Sequence, residues 1–340
     1  MSKNIVIFSD GTGQEGGTGP DTNVYKLFKA VENRTPNQIA FYDRGLGTGR
    51  RWLTGKVSGA GISQNILECY QFIFDNYEAG DNIYLFGFSR GAATVRSLSG
   101  FIDTFGILPK SRPELINKAY KIYKNSNIDE RTAKAHDFCQ KHHTMWARVK
   151  FLGVWDTVAA LGIPFGRLDQ AINALPWLKH KFHNYSLSPS VSNAYHALSI
   201  DDERQTFHPT LWDEDLRDYQ TMEQVWFAGV HTDVGGGYAE TGMSDIPLYW
   251  MINNAVKHGL RIHSEDILKF EGNPDGTMHD SRGGKLSRFF RKKIREWPDK
   301  DGSGKLRGKP DIHPSVFLRT LDKSNGTATK YEPWILKYLE

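Results

Sequence analysis

Cysteine is nearly missing from this 340-residue chain, which holds only Cys69 and Cys139. Two thiols build no disulfide framework and their spacing matches no zinc motif, which removes the stapled secreted domains and the zinc modules. Long apolar runs are missing as well. No stretch approaches the roughly 20 apolar residues that a membrane-spanning helix needs. Ile5-Val6-Ile7-Phe8 is too short for the hydrophobic part of a secretory signal. An excess of one charge is also lacking, the formal net charge being +4. Basic residues are spread out, apart from one late segment, so nothing calls for nucleic acid. These absences lead to the expectation of a cytoplasmic protein; export by a machine that needs no cleaved signal is compatible with the same features.

What is present suits a packed enzyme-sized domain. Fourteen Tyr, 19 Phe and 9 Trp argue against disorder. Short apolar runs recur, each followed by a turn containing Gly or Asp and then a helical pattern. Ile5–Ser9 ends at Asp10-Gly11-Thr12-Gly13, Gln38–Tyr42 at Asp43, Ile83–Phe86 before Gly87, and Val149–Trp155 at Asp156. A further run, Gln224–Val230, ends at His231. Helical periodicity marks 65–77, the stretch from about Ala92, 112–147 and 247–258. Alternating strands and helices predict a three-layer α/β sandwich with a mainly parallel central sheet and helical insertions. No repeat or linker divides it. We read one domain over 1–340, with a helical cap at 110–147 and a mobile basic insertion at about 272–310.

Gly87-Phe88-Ser89-Arg90-Gly91 fits G-x-S-x-G. The pattern alone says little in a chain with 33 glycines. Its context says more: an apolar strand precedes it and a helix follows, as a nucleophile elbow requires. The serine is then exposed above the carboxyl edge of the sheet. A serine nucleophile needs a base, and the base an orienting acid, in the chain order Ser, Asp or Glu, His. Asp156 and His231 both end apolar strands at the edge where open α/β sheets bind ligands.

Among the 12 histidines, His142 and His143 fall in a polar helix end, and His180, His183 and His196 in loop or helical stretches. His231 leads into the flexible-looking Gly235-Gly236-Gly237. His313 is the alternate base; Asp233 and Asp201 are the alternate acids. Asp233, two residues from His231, is better suited to holding the glycine-rich loop. An oxyanion hole needs two preorganised N–H donors. The backbone of Arg90 supplies one, and Gly11 or Thr12 in the loop after the first strand supplies the other.

Asp10-Gly11-Thr12, Gly87-Phe88-Ser89-Arg90-Gly91-Ala92, Gly153-Val154-Trp155-Asp156-Thr157-Val158 and Gly229-Val230-His231-Thr232-Asp233-Val234-Gly235-Gly236-Gly237-Tyr238 occur together between residue 4 and about 260. The combination resembles the uncharacterised α/β-hydrolase family that includes the catalytic domain of type VI secretion phospholipase effectors. The resemblance implies a triad on Ser89, Asp156 and His231 and hydrolysis of lipid esters; a serine mechanism on carboxylic esters requires no metal or organic cofactor.

Other readings compete. A binding or scaffold protein on a catalytically inactive hydrolase fold would keep the same strands. Gly11-Thr12-Gly13-Gln14-Glu15-Gly16 fits G-x-G-x-x-G, but a dinucleotide site of an NAD-type oxidoreductase needs a helix to open there, and the helical pattern starts only near Asn23. Phe8-Ser9-Asp10-Gly11-Thr12 lacks the first carboxylate of aspartyl-nucleophile phosphatases. Asp299-Lys300-Asp301-Gly302-Ser303-Gly304 copies half an EF-hand loop but has Pro310 where a bidentate Glu belongs. Leu286, Phe289, Phe290, Ile294 and Trp297 share a helical face, with Arg288, Arg291, Lys292 and Arg295 opposite or flanking. That pattern predicts an amphipathic helix over 286–297, suited to peripheral contact with an anionic membrane or to packing on its own domain.

Overall fold

The computed structural model describes residues 2–11, 16–33, 35–45, 59–158, 186–267, 269–283, 290–321 and 331–339. Its centre is a seven-stranded sheet in the order β2-β1-β3-β4-β5-β6-β7, with every pair parallel. The strands are β1 (Asn4–Ser9), β2 (Gln38–Asp43), β3 (Asn82–Phe88), β4 (Val149–Trp155), β5 (Asn193–Ser199), β6 (Thr221–Phe227) and β7 (Asp311–Ile312). The helices are α1 (Asn23–Ala30), α2 (Gly59–Asn76), α3 (Arg90–Phe105), α4 (Leu115–Tyr123), α5 (Ile128–His142), α6 (His231–Gly235), α7 (Gly242–Lys257), α8 (Ser264–Ile267) and α9 (Pro314–Thr320). This is the expected α/β-hydrolase-like arrangement.

The apolar runs make strands because both of their faces are covered. Successive side chains of a strand point to opposite sides, and Ile5 and Ile7 of β1 enter one core cluster while Val6 and Phe8 enter the other. The first cluster lies against α2 and α3, and the second against α1 and α7. All four of these β1 side chains are fully buried, and each contributes about 1.5–3 kcal/mol relative to exposure. An aromatic row crosses the second face, Phe8 on Phe86 at 5.2 Å, Phe86 on Phe151 at 5.4 Å and Phe151 on Tyr195 at 5.1 Å. It ties four neighbouring strands together behind the site.

From β1 the chain steps to β2 on one side, then continues on the other side through β3. The switch in direction therefore lies between β1 and β3, where loops splay apart and leave a crevice at the carboxyl ends. Ser9 and Phe88 end those two strands, so Asp10-Gly11 and Ser89 meet at this point. Within 110–147, α4 and α5 pack through Tyr120, Tyr123 and Phe138 on Phe101 and Phe105. They cover the end of α3 away from Ser89.

Two expectations need correction. The segment 193–199, with His196, is strand β5 rather than loop or helix. Residues 290–297 form no helix; Leu286 and Phe289 lie outside the described residues. The backbone pairs instead with 203–205, Gln205 N–H donating to Arg291 O at 3.0 Å and Lys293 N–H to Glu203 O at 2.8 Å. Arg295, expected on a solvated face, is 1% exposed, and Trp297 packs against Trp226 at 6.3 Å. Long-range partners override the local periodicity.

Candidate active site

Ser89 sits between β3 and α3 with φ 57° and ψ −118°, a left-handed conformation that costs a non-glycine residue on the order of 1–3 kcal/mol. The strain survives because the flanks hold it. Ser89 N–H donates to Trp155 O at 3.1 Å. Gly91 has no room for a side chain, since a Cβ there would lie 2.0 Å from the Ser9 carbonyl oxygen. The glycine thus lets α3 start directly against β1. Ser89 Oγ makes no capping hydrogen bond. The first N–H groups of α3, Arg90 among them, lack carbonyls one turn earlier and point toward the same rim.

Asp156 follows β4 with φ 38°, and its side chain is fully buried. Its Oδ2 accepts from His231 Nδ1 at 2.6 Å. With Nδ1 donating, Nε2 of the neutral imidazole is left as an acceptor. His231 opens α6 after a short turn, rather than ending a strand ahead of a flexible loop. Its ring lies 4.6 Å from that of Phe88 and 5.1 Å from that of Phe207. The imidazole therefore stands beside the strand end that carries Ser89. Gly235 permits this closeness: a Cβ there would fall 2.0 Å from the Phe88 ring.

The sequence reading missed one residue of this site. Arg295 Nη1 donates to Asp156 Oδ1 at 2.7 Å, and Nη2 to Asp156 Oδ2 at 2.8 Å. Burial alone would push the Asp156 carboxyl up; the Arg295 charge and the hydrogen bonds from Arg295 and His231 outweigh it and hold the group well below the usual carboxylate range. His231 is pushed below the ordinary imidazole value by burial, against the opposing pull of Asp156. On the α6 side, His231 N–H donates to Asp202 at 3.2 Å. Asp202 in turn holds Arg204, whose Nη2 reaches it at 2.6 Å.

The alternates are engaged elsewhere. Asp233 accepts from Val230 N–H at 3.0 Å and from His279 Nδ1 at 2.6 Å, so it clamps the loop around α6. Asp201 accepts from Gly229 N–H at 2.6 Å and Tyr331 O–H at 2.8 Å, and burial pushes it up to about 6. His313 caps α9 by accepting from Ser315 N–H at 3.2 Å; it stacks on Phe227 and burial lowers it to about 4.

The oxyanion expectation for Gly11 is corrected. Its N–H donates to the Asp10 carboxylate at 2.7 Å, because that buried group also gathers the hydroxyls of Thr22 and Tyr42. Thr12 lies outside the described residues. Asp301, in the EF-hand-like stretch, turns its Oδ1 inward to accept from Ser303 N–H at 3.0 Å and Lys305 N–H at 2.9 Å. The described residues contain no cluster of three or more His, Cys, Asp or Glu arranged to hold a metal ion.

Several known proteins are similar to parts of this chain. The yeast Saccharomyces cerevisiae protein named uncharacterized protein YEL023C is 30% identical over 230 residues, covering 60% of this chain and 32% of its own length. The chain thus spans about a third of that relative. An uncharacterized protein from Pseudomonas aeruginosa aligns in structure with a TM-score of 0.48 at 17% identity, over 81% of this chain and 49% of that one. The Tle1 effector bound to the VgrG spike of the type VI secretion system aligns with a TM-score of 0.38 at 21% identity, over 71% and 52%. The metagenomic carboxyl esterase MGS0156 gives 0.35 at 10% identity, over 76% of each chain. The family model for the catalytic domain of Tle1-like type VI secretion phospholipase effectors matches residues 3–254. That match takes in β1 through most of α7, with Ser89, Asp156 and His231 inside it, and the chain belongs to this family.

Proposed function

We propose that this chain is a serine hydrolase of lipid carboxylic esters, with Ser89 as nucleophile, His231 as general base and Asp156 as the acid that orients it. The observation that carries the reading is the buried 2.6 Å contact between His231 and Asp156 beside the strained turn at Ser89. In the proposed reaction, Ser89 Oγ attacks the ester carbonyl while Nε2 of His231 takes its proton. The tetrahedral oxyanion meets the Arg90 backbone N–H, at the positive end of the α3 dipole. Collapse breaks the C–O bond, and His231 returns the proton to the departing alkoxide. Water, deprotonated by the same imidazole, then releases the acid and restores Ser89. Membership in a phospholipase effector family is what points to a lipid ester.

A fluorophosphonate probe tests the chemistry, because it captures only an activated serine. Labelling at Ser89, lost in Ser89→Ala and His231→Ala, is expected. Undiminished turnover by purified Ser89→Ala would falsify the assignment. The substrate class is tested by comparing phospholipid vesicles with short-chain nitrophenyl esters. A steep rise in rate at the lipid surface is expected, and equal rates on soluble esters would remove the lipid part of the proposal.

A further inference from the structure

The carboxylate of Asp156 is neutralised before the imidazole beside it gains a proton. All four terminal N–H groups of Arg295 are used, two on the Asp156 carboxylate and the others on Ser199 O and Phe207 O, each at 2.5 Å. Asp156 Oδ1 also accepts from Ser199 N–H at 3.1 Å. The plane of the carboxylate is therefore set by Arg295 and β5, and Oδ2 is left pointing at His231. A triad acid with no cation behind it faces the imidazole with a full negative charge and favours the imidazolium. Here that charge is shared with a guanidinium, which stays protonated throughout.

We infer that Arg295 is a positioning residue of the hydrolytic site: it aims Asp156 at His231 Nδ1 and, by offsetting the carboxylate charge, keeps His231 unprotonated and ready as a base in mildly acidic solution. The inference rests on the triad reading given above. A guanidinium that served only to anchor residues 290–297 would leave the protonation of His231 untouched.

Burial and the charge of Arg204 also lower His231, but neither acts through the Asp156 carboxylate. Behind β5, Asp202 faces its backbone N–H but is bound by Arg204, which lies over the Phe207 ring at 3.6 Å. Asp201 is satisfied by Gly229 and Tyr331. On α6 itself Asp233 is taken by His279. His196 on β5 accepts from Thr157 N–H at 3.1 Å, and burial keeps it neutral. On the side of β3 and α3 the charged residue next to the nucleophile is Arg90. Among the described residues, the pair that hydrogen-bonds the imidazole directly is Asp156 with Arg295.

The test uses two readouts on the full chain: the imidazole titration of His231 by NMR, assigned with His231→Gln, and the pH dependence of fluorophosphonate labelling at Ser89. In the wild type both midpoints should fall below the ordinary value of 6.5. In Arg295→Gln the His231–Asp156 couple binds its proton more tightly, whichever residue carries it, and both midpoints should rise by about one pH unit. Labelling at pH about 5.5 should then drop about tenfold more than at pH about 8. Arg295→Lys, which keeps the charge without the fork, should restore most of the midpoint while losing rate at every pH.

A folded Arg295→Gln with unchanged midpoints overturns the inference. Should that variant fail to fold, a wild-type imidazole midpoint at or above 6.5 overturns it equally, and a folded Arg295→Lys that keeps its midpoint below that value while losing rate at every pH supports it. A shifted NMR titration with no labelling of Ser89 at any pH supports the coupling and refutes the hydrolase reading, so the two failures are told apart.

Discussion

Two histidine–aspartate couples lie within a few residues of each other in this fold, and they share the same 2.6 Å contact. In one, His231 Nδ1 meets Asp156; in the other, His279 Nδ1 meets Asp233. They differ in what stands behind and beside them. Asp156 is backed by a buried guanidinium, and its histidine is held between Phe88 and Phe207 at the mouth of the Ser89 turn. Asp233 instead spends its second oxygen on the backbone N–H groups of Val230 and His279. Its histidine stacks on Tyr238 at 3.6 Å and turns Nε2 toward Glu240 at 3.5 Å. A hydrogen-bonded His–Asp pair is thus no signature of catalysis by itself. Under the proposed function, a strained serine beside the ring and a cation behind the acid set the first couple apart.

The comparison is broken most directly by removing its members in turn. Ser89→Ala or His231→Ala should lower ester turnover by about 10³-fold or more; Ser89→Ala should barely change the melting temperature, whereas His231→Ala should also cost about 1–3 kcal/mol, because buried Asp156 loses a partner. Equal losses from His279→Ala would erase the distinction between the couples. A middle effect is expected from Gly235→Ala, whose new Cβ has to displace the Phe88 ring 2.0 Å away and with it the imidazole. Turnover should fall about 10–100-fold, since small misplacements of a base are costly, with labelling at Ser89 slowed in proportion.

His279→Ala should change turnover by less than about threefold. It should still cost about 1–3 kcal/mol of stability, because buried Asp233 loses a partner; denaturant unfolding measures this. The smallest expected change sharpens the comparison from the other side. The acid limb of the pH–rate profile reports protonation of the base, so a lowered His231 pKa keeps the enzyme active until the pH falls below the ordinary 6.5. His279→Ala should leave that limb in place within about 0.2 pH unit.

Much of this could be read from residues alone. β1, β2, β3 and β4 carry continuous apolar runs because helices cover both of their faces, and their ends announce Asp10, Asp43, Ser89 and Asp156. β5 escaped because Asn193, Ala194, His196 and Ala197 do not look like a buried strand. What makes them one is burial against Trp212 and the neighbouring strands, a tertiary effect. The three glycines after Val234 suggested a flexible loop at His231, but Asp233 and Phe88 hold that turn in place as α6. Gly11 offered a free N–H on paper; in the fold it is claimed by Asp10, whose burial no local pattern reveals. Arg295 was hidden most completely. It sat in a convincing amphipathic pattern, and its partner lies 139 residues earlier in the chain.

That separation has a consequence for how the molecule comes into being. A ribosome emits Ser89, Asp156 and His231 well before Arg295, so a nascent chain stopped at the end of the matched segment, residue 254, would hold all three proposed reacting groups and still lack the cation bound to Asp156. The acid would then have to sit in an apolar interior with a surplus charge, or take up a proton and give up its grip on the imidazole. If the proposed function holds, full competence should therefore arrive late, when the last portion of the polypeptide folds back across the sheet, and shortening the chain to the matched segment should leave the acid without its counter-charge.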